Sequence, residues 1–518
     1  MRRALVGAAA GIAAVTVLSR FVGFGRTGVL ARTLGPSCVG DTYAAANAIP
    51  NVVFEIVAGG ALASLVVPVL AGAVAAGDRE SASRTASALL TWTIAILTPV
   101  ALLGILAAPY LLRAVVGSDP ACGQSLLDVG ARMLVVFLPQ VVLYGVGIVV
   151  AGILQAHRRF LGPALAPLLS SLVVITAYLL YAAQGRVALG ELSRTQELTL
   201  SVGTTLGVAV LSLGLLVPLR RCDLSLRPTF SFPPGVAGKV RRLALAGFAG
   251  LAAQQVALVV ALRLAANGTE GSVVLFQIAT ALFLLPWAVL AVPVATTAFP
   301  ELTAKAGAGD ESGYALAASR SLAAVLVASL GAAVVLVAVA LPVARVLVAG
   351  APGPEDVDAL ARATVAFAPG LVGYGLLALV ARALYARGDG RTPAVATVAG
   401  WLTVAVADIA LVRLAPSLDR VVALGIGNSV GMTLTGALLL VGLHRVSPGS
   451  LAGSWRAALA GLAGCLLAGS TAYLIPSLGS SVRASVVACG LLAAVTGAVY
   501  VGVVRLLDAD ALRALIRA

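Results

Sequence analysis

Residues 321–348 read SLAAVLVASLGAAVVLVAVALPVARVLV, and Arg345 is the only charged side chain among them. As an α-helix this run would be about 42 Å long, because each residue adds about 1.5 Å. The hydrocarbon core of a membrane is about 30 Å thick. The run therefore predicts a transmembrane helix that spans the whole membrane.

Comparable apolar runs recur along the chain and predict about fourteen transmembrane helices. The sequence is 60% hydrophobic and only 11% charged, whereas a soluble protein carries about a quarter charged residues. The pattern therefore predicts an all-α integral membrane protein with no soluble domain. The predicted helices lie near residues 5–31, 42–73, 86–112, 129–154, 163–183, 199–219, 243–266, 273–300, 321–348, 361–386, 392–412, 421–443, 455–476 and 484–506.

The arginines of the connecting segments predict the orientation. If the N-terminus is cytoplasmic and the sides alternate, the outer segments hold few basic residues: Arg32, Arg113, Arg186, Arg194, Arg413, Arg420 and Arg483. The inner segments hold many more, as expected when positive charge stays inside. Both termini are then predicted to be cytoplasmic. The net charge of +14 is explained by this bias, so we expect no nucleic acid partner.

An internal repeat divides the chain. Phe137-Leu138-Pro139 and Tyr144-Gly145 recur as Phe367-Ala368-Pro369 and Tyr374-Gly375, at a constant offset of 230 positions (137 to 367, for example). The offset corresponds to six predicted helices, so the two halves share one orientation and a binding site is expected between them. The predicted division is a six-helix lobe over 1–220, a second over 221–445, and two further helices over 446–518.

The two C-terminal helices have no counterpart in the repeat. Their small residues, among them Gly461, Gly464, Gly469, Gly490 and Gly497, allow close helix packing. The same residues could instead leave a lateral apolar groove, and the sequence does not decide between the two arrangements.

Charged side chains inside the predicted spans mark the candidate functional site, because an ionised group at membrane depth is costly. Arg20 and Arg26 lie in the first span, about 9 Å apart along the helix axis. Arginine binds phosphate oxygens through two parallel hydrogen bonds, so this pair suits a phosphorylated headgroup. The alternative is an ion pair with Asp41 or Glu55 inside the bundle.

Three other charges complete the candidate set. Glu55 follows Pro50-Asn51, a predicted break in the second helix, and Asp408 lies within the eleventh. Asp408 could take a cation or a proton, although a buried salt bridge would explain both carboxylates equally well. Arg382 lies one turn before the inner end of its helix.

No sequence motif points to an enzyme or to a bound cofactor. There is no GxxxxGK[ST], HExxH or GxSxG pattern, so active transport would have to draw on an ion gradient or the membrane potential. The five cysteines have no metal-binding spacing, and no metal is predicted. Cys38 and Cys122 both lie in predicted outer segments, where a disulfide could join them.

The N-terminal region resembles the MurJ (MviN) family of lipid II flippases, which belongs to a superfamily with multidrug exporters and polysaccharide flippases. The resemblance rests on Ser19-Arg20-Phe21-Val22-Gly23-Phe24-Gly25-Arg26, Ala31-Arg32-Thr33-Leu34-Gly35, Gly40-Asp41, Ile49-Pro50-Asn51, Gly60, Val67-Pro68 and the 385–393 stretch YARGDGRTP. It implies that the chain moves undecaprenyl-diphosphate-linked peptidoglycan precursor from the inner to the outer leaflet of the bacterial cell membrane. It also implies contacts with membrane lipids and cell-wall synthesis proteins.

By this resemblance Arg20, Arg26 and Asp41 match charged positions that are important in the family. Two departures are evident, because Phe54 beside Glu55, and Thr280-Ala281, stand where better-known members have charged residues that include arginine. The headgroup contacts must therefore be arranged differently, or the substrate differs. Two alternatives stay open: an exporter of drugs or polysaccharide-lipid precursors from the same superfamily, and a non-transporting scaffold of the cell-wall machinery.

Overall fold

The structure is a computed structural model that describes residues 2–117, 121–232, 236–349, 354–474 and 481–517. These ranges form 21 α-helices and contain no β-strand. In chain order, α1 to α21 are Arg2–Thr33, Cys38–Phe54, Gly60–Ala75, Arg79–Leu106, Ala108–Val116, Gly123–Phe137, Gln140–Ala156, Leu161–Ala183, Arg194–Leu213, Leu216–Leu219, Val236–Ala266, Ser272–Pro286, Val292–Gly307, Glu311–Leu347, Pro354–Phe367, Gly370–Ala386, Arg391–Leu414, Arg420–Val446, Ser454–Leu474, Val482–Leu507 and Ala509–Arg517.

Many of these helices are built to cross a membrane. Within the described ranges, eleven helical segments are long and apolar enough to do so, or twelve if the bent pair α15 and α16 is one span. Large apolar side chains such as Leu103 and Leu466 lie on the surface, 65% and 78% exposed, as lipid-facing residues do. The all-α membrane fold is confirmed, while the number fourteen stays a prediction.

The chain divides into two compact units. The first consists of residues 1–255 and 266–274, and the second of residues 256–265 and 275–518. The three-part division predicted from the repeat rests on a different criterion, internal similarity rather than compactness, and its boundaries stay a prediction.

The internal repeat is visible in the backbone. Helices α7 and α16 begin at Gln140 and Gly370 and end at Ala156 and Ala386, so both bounds keep the offset of 230 positions. The turns that follow also match. Arg159 N–H donates to the Leu154 carbonyl oxygen at 2.8 Å, and Asp389 N–H donates to the Leu384 oxygen at 3.0 Å.

The second span of each half contains a π-helix. One covers Glu55–Gly59 between α2 and α3, and the other covers Trp287–Ala291 between α12 and α13. Proline lacks the N–H that an α-helix requires, and Pro50 and Pro286 lie at or before the two irregular segments. Short π-helical turns often occur at functional positions. The break predicted at Pro50-Asn51 lies one turn later, at Glu55.

The connection after α10 is an extended strap, residues 223–232, that lies along α4. The backbone N–H groups of Ser225, Arg227 and Thr229 donate to the side-chain oxygens of three α4 residues, at 3.0–3.2 Å. These acceptors are Ser83, Ser87 and Thr91. Four helical residues rise about 6.0 Å and two extended residues about 6.6 Å, so the two spacings match. The strap is therefore held by a ladder of hydrogen bonds.

Helices α19 and α20 pack against α14. The Tyr500 hydroxyl donates to the Val327 carbonyl oxygen at 2.7 Å. A Cβ added at Gly461 would lie 2.6 Å from a Leu330 methyl carbon, and one at Gly464 would lie 2.8 Å from the Tyr500 ring. These two glycines thus allow α19 to pack closely against α14 and α20. Gly490 and Gly497 have open space beside them.

Candidate substrate-binding residues

The two arginines of the first span lie in one uninterrupted helix. Helix α1 runs through Gly23 and Gly25 without a break, and both glycines have open space beside them. Arg20 is exposed and Arg26 is half-buried. In the part of the chain that the structure describes, neither arginine forms an ion pair with Asp41 or Glu55. Both guanidinium groups are therefore available to an anionic ligand.

A cluster of buried hydroxyl groups lies within electrostatic range of Arg26. The Tyr43 hydroxyl bonds to the Tyr178 hydroxyl at 2.8 Å and to Thr204 Oγ1 at 2.7 Å. The Tyr144 hydroxyl also lies within electrostatic range of Arg26. The sequence analysis did not single out these tyrosines as site residues. The sequence signal that could have pointed to them is a tyrosine hydroxyl in each of three different spans.

Phe54 occupies the position where an arginine was expected from the family resemblance. Its side chain is buried, and its ring centroid lies 5.6 Å from that of Tyr144. An aromatic contact thus takes the place of a cation in this part of the site. Such a pair is stabilised by burial and needs no counter-ion. The local charge of the site thus depends on Arg20 and Arg26.

Glu55 begins the first π-helix and is half-buried. Among the described residues its carboxylate accepts no hydrogen bond and forms no ion pair. The π-helical turn places this carboxylate at the irregular point of the second span. The salt-bridge explanation for Glu55 therefore has no support in the described ranges.

Asp41 has a structural partner at the N-terminal end of α2. Its side chain is 1% exposed, and its two carboxylate oxygens accept the backbone N–H groups of Gly271 and Val274 at 2.8 and 2.9 Å. These amides belong to the first turn of α12, where a negative charge is favoured. Asp41 therefore holds a helix end in this conformation, and its predicted contact with substrate stays a prediction.

Further contacts hold the same N-terminal end of α2. Cys38 and Cys122 form a disulfide, which confirms the pairing that the sequence allowed. The Cys38 N–H donates to the Glu270 carboxylate at 2.9 Å, so Glu270, in the turn before α12, binds the start of α2, while Asp41 of α2 binds the start of α12. A Cβ on Gly271 would lie 2.4 Å from that of Pro36, which explains the need for glycine there.

Arg132, which the sequence also places near membrane depth, is committed to an ion pair. Its Nε and one terminal nitrogen donate to the Glu197 carboxylate at 3.1 and 2.9 Å, and Arg194 binds the same carboxylate. Glu197 is 1% exposed, so it needs these partners. Arg132 is therefore a structural residue in this conformation.

The remaining candidates lie in the second unit. The half-buried Arg382 donates to the Ala378 carbonyl oxygen of its own helix. Asp408 is 1% exposed, and its Oδ1 has no hydrogen-bond partner among the described residues. A Cβ on Gly427 would lie 1.9 Å from that oxygen. Helix α18 thus presents its bare backbone to the carboxyl group of α17.

Metal binding by several protein ligands finds no support here. In the ranges given above, no three His, Cys, Asp or Glu side chains lie together. Among the buried side-chain oxygens that lack a hydrogen-bond partner in the described ranges, that of Asp408 belongs to a carboxyl group, which a proton or a small cation could use.

Two units of apolar helices, a π-helix in each, and charged side chains without an ion-pair partner among the described residues are typical of a polytopic membrane transporter. The sequence model described as "Lipid II flippase MurJ" matches residues 30–488, and the chain belongs to this family. It is 28% identical to a probable lipid II flippase MurJ of Rhizobium tropici, over 94% of this chain and 92% of the relative. It is 26% identical to a lipid II flippase MurJ of Burkholderia cenocepacia, over 84% and 83%.

Solved structures show the same fold. A lipid II flippase MurJ in an inward closed conformation matches with a TM-score of 0.76 at 18% identity, over 97% of this chain and 99% of that one. An inward-facing multidrug resistance transporter of the MATE family matches with a TM-score of 0.69 at 18% identity, over 84% and 96%. The family is one of transporters, so the prediction that the chain is not an enzyme is confirmed.

Proposed function

We propose that this chain translocates lipid II from the inner to the outer leaflet of a bacterial cell membrane by alternating access, with both of its termini in the cytoplasm. The observation that carries the proposal is membership of the lipid II flippase family over residues 30–488. The fold is shared with MATE family transporters solved in inward-facing and in outward-facing conformations, which supports alternating access.

Arg20 and Arg26 are proposed to bind the diphosphate of the substrate. Both guanidinium groups lack a carboxylate partner among the described residues, and arginine keeps its charge in a low-dielectric site. Two guanidinium groups about 9 Å apart along one helix can contact neighbouring phosphates or neighbouring parts of a headgroup. The hydroxyl cluster of Tyr43, Tyr178 and Thr204 lies near Arg26 and could position it.

Glu55, Asp41 and Arg382 are proposed to have secondary roles in substrate binding. Glu55 could accept hydrogen bonds from hydroxyl or amide groups of the sugar and peptide, since a carboxylate offers only acceptors. Asp41 would reach the substrate only after leaving the α12 amides, and so would act in another conformation. Arg382 is half-buried and has no carboxylate partner in the described ranges, so it could contact a second anionic group.

Asp408 is proposed to couple transport to an ion or proton gradient. A buried carboxylate without a partner is costly to keep ionised, so it should bind a proton or a cation from one side of the membrane. Release on the other side would then accompany the change of conformation. The membrane potential could also act directly on the charges that move.

The alternative function is export of drugs or polysaccharide-lipid precursors, which the MATE-like fold favours. A scaffold of the cell-wall machinery has no observation of its own here, although contacts with cell-wall synthesis proteins and membrane lipids fit the proposed function. Helices α19 and α20 lie beyond the part of the chain that a twelve-helix exporter would need, and they argue for a lipid flippase.

The test is depletion of the protein in its own host, followed by an assay of lipid II exposed on the outer leaflet. We expect the exposed fraction to fall on depletion and to recover when the wild-type chain is restored. An Arg20→Ala chain that accumulates normally should not restore it. Unchanged lipid II exposure, with a changed drug tolerance or polysaccharide content, would favour the exporter instead.

A further inference from the structure

A cavity of about 470 Å³ opens in the first unit, at the predicted cytoplasmic ends of α8 and of the α9–α10 segment. Three arginines line it, Arg158, Arg159 and Arg221, and the rest of its lining is almost entirely apolar. It is separate from the candidate site, because none of the proposed substrate-binding residues lines it. It therefore has a chemistry of its own: cationic at one end and apolar along its length.

Arg158 has a backbone conformation that is unfavourable for an arginine. Arg158 has φ 58°, in the left-handed region, which is unfavourable for any residue with a Cβ. The equivalent residue of the second half, 230 positions later, is Gly388 with φ 78°. Since glycine fits this turn without strain, the arginine is not explained by the turn.

The residue after Arg158 also differs in its chemistry from the equivalent residue of the second half. Asp389 accepts the N–H groups of Arg391 and Thr392, both at 3.0 Å, and so caps α17. Its counterpart is Arg159, whose guanidinium group only donates hydrogen bonds and cannot accept the first N–H groups of α8. Arg159 instead donates to the Arg221 carbonyl oxygen at 2.7 Å, which fixes it at the cavity. Where the second half places a carboxylate, the first half places a cation.

The apolar walls open to the lipid side of the helix pair. Leu161, Leu169 and Val217 line the cavity and are 53%, 47% and 69% exposed. An acyl chain can lie along such a surface because burial of each CH₂ group is favourable. Basic pockets between transmembrane helices on the cytoplasmic side are suited to anionic lipid headgroups.

We propose that this cavity binds an anionic glycerophospholipid, with the headgroup phosphate at Arg158, Arg159 and Arg221 and one acyl chain along Leu169 and Val217. The arginines are complementary to the phosphate charge, and the apolar groove is complementary to the chain. A free phosphate would use only the first feature. A polyprenyl diphosphate shares both features, but its chain is far longer than the groove.

The test uses the purified full-length chain and measures bound lipid by native mass spectrometry. Dioleoylphosphatidylglycerol and dioleoylphosphatidylcholine have the same chains and differ in headgroup charge. We expect the wild type to bind the anionic lipid more tightly, and Arg159→Gln to weaken it about fivefold, since one arginine near a membrane surface contributes about that much. Leu169→Trp should also weaken it, because the indole would occupy the groove.

The matched control is the triple variant R79Q/R445Q/R505Q, which removes the same charge from exposed arginines outside the cavity. It should bind the anionic lipid as the wild type does, whereas R158Q/R159Q/R221Q should lose the preference. Equal loss in both triple variants would overturn the proposal, because a general charge effect would then suffice. Displacement by inorganic phosphate alone would also overturn it. So would stronger binding of undecaprenyl diphosphate, which would assign the cavity to the transport path.

Discussion

Arg26 is the residue on which the proposed diphosphate contact depends most directly. It is half-buried, within electrostatic range of the Tyr43 and Tyr144 hydroxyls, and no carboxylate pairs with it in the described ranges. Arg26→Ala should abolish transport, while Arg26→Lys should keep part of it because lysine has the charge without the planar two-point contact. Complementation of a depleted strain measures this, with protein levels determined in parallel. Arg413→Ala, at an exposed helix end, is the control and should complement fully.

The packing of α17 against α18 depends on the contact between Asp408 and Gly427. A methyl group at position 427 would lie 1.9 Å from the Asp408 carboxyl oxygen, so the buried Asp408 side chain would have to rotate or the two helices would have to move apart. We expect Gly427→Ala to destabilise the protein by about 1–3 kcal/mol, as overpacking does. Thermal unfolding in detergent measures the change. The control is Gly490→Ala, which has open space and should leave the stability unchanged or slightly raised.

At the scale of elements, the strap 223–232 joins the two predicted lobes and is held by hydroxyl groups of α4. Replacing Ser83, Ser87 and Thr91 by Ala, Ala and Val removes all three acceptors. The three amides should then open to solvent more often, because each hydrogen bond contributes about 1 kcal/mol, while Trp92 and Arg84 of α4 still hold Phe230 and Ser231. Hydrogen exchange should become faster at the N–H groups of Ser225, Arg227 and Thr229.

The control for the strap is Thr176→Val. Thr176 bonds to its own helix at Leu172, so its replacement should leave exchange in the strap unchanged. Unaltered exchange in the triple variant would mean that the ladder does not hold the strap. If exchange does become faster, transport by the triple variant shows whether the strap must stay fastened to α4 while the protein changes conformation.

The α19–α20 pair depends on a single aromatic anchor. Tyr500 is 4% exposed, its ring lies close to Gly331, Gly461 and Gly464, and its hydroxyl donates to Val327. Tyr500→Phe should cost about 0.5–1.5 kcal/mol and Tyr500→Ala about 3–5 kcal/mol, measured by thermal unfolding. Tyr110→Phe is the control, since Tyr110 is 75% exposed. A loss of transport at normal stability in Tyr500→Phe would indicate a role beyond packing.

At the scale of the whole molecule, the repeat and the spans could be predicted because they follow from local composition and from a fixed offset. Phe137 and Phe367 occupy equivalent positions in the structure, as the offset of 230 positions indicated, but the helix ends at these residues fall inside the predicted spans 129–154 and 361–386 and were not predicted. The partner of Asp41 could not be predicted, because the α12 amides that bind it lie 230 positions away and carry no side-chain signal. The tyrosines around Arg26 were missed for the same reason: hydrogen bonds between distant spans leave no periodic pattern.

The orientation of the chain provides the last prediction. Cys222 lies next to Arg220 and Arg221, which the charge bias places in the cytoplasm. Cys38 and Cys122, which form the disulfide, lie in segments predicted to face outward. A membrane-impermeant maleimide should therefore label Cys38 and Cys122 in intact cells only after reduction, and Cys222 only after the membrane is permeabilised. Mass spectrometry of tryptic peptides identifies the labelled residue.

A Cys222→Ser variant controls for the two remaining thiols. Cys465 and Cys489 lie within α19 and α20, where a charged reagent should not reach them, so this variant should gain no label on permeabilisation. Labelling of Cys222 in intact cells would reverse the proposed orientation and place the strap outside. The three arginines of the lipid cavity would then face the outer leaflet as well, because Arg221 and Cys222 are adjacent in the chain. The position of one thiol thus fixes the side on which both the strap and the cavity act.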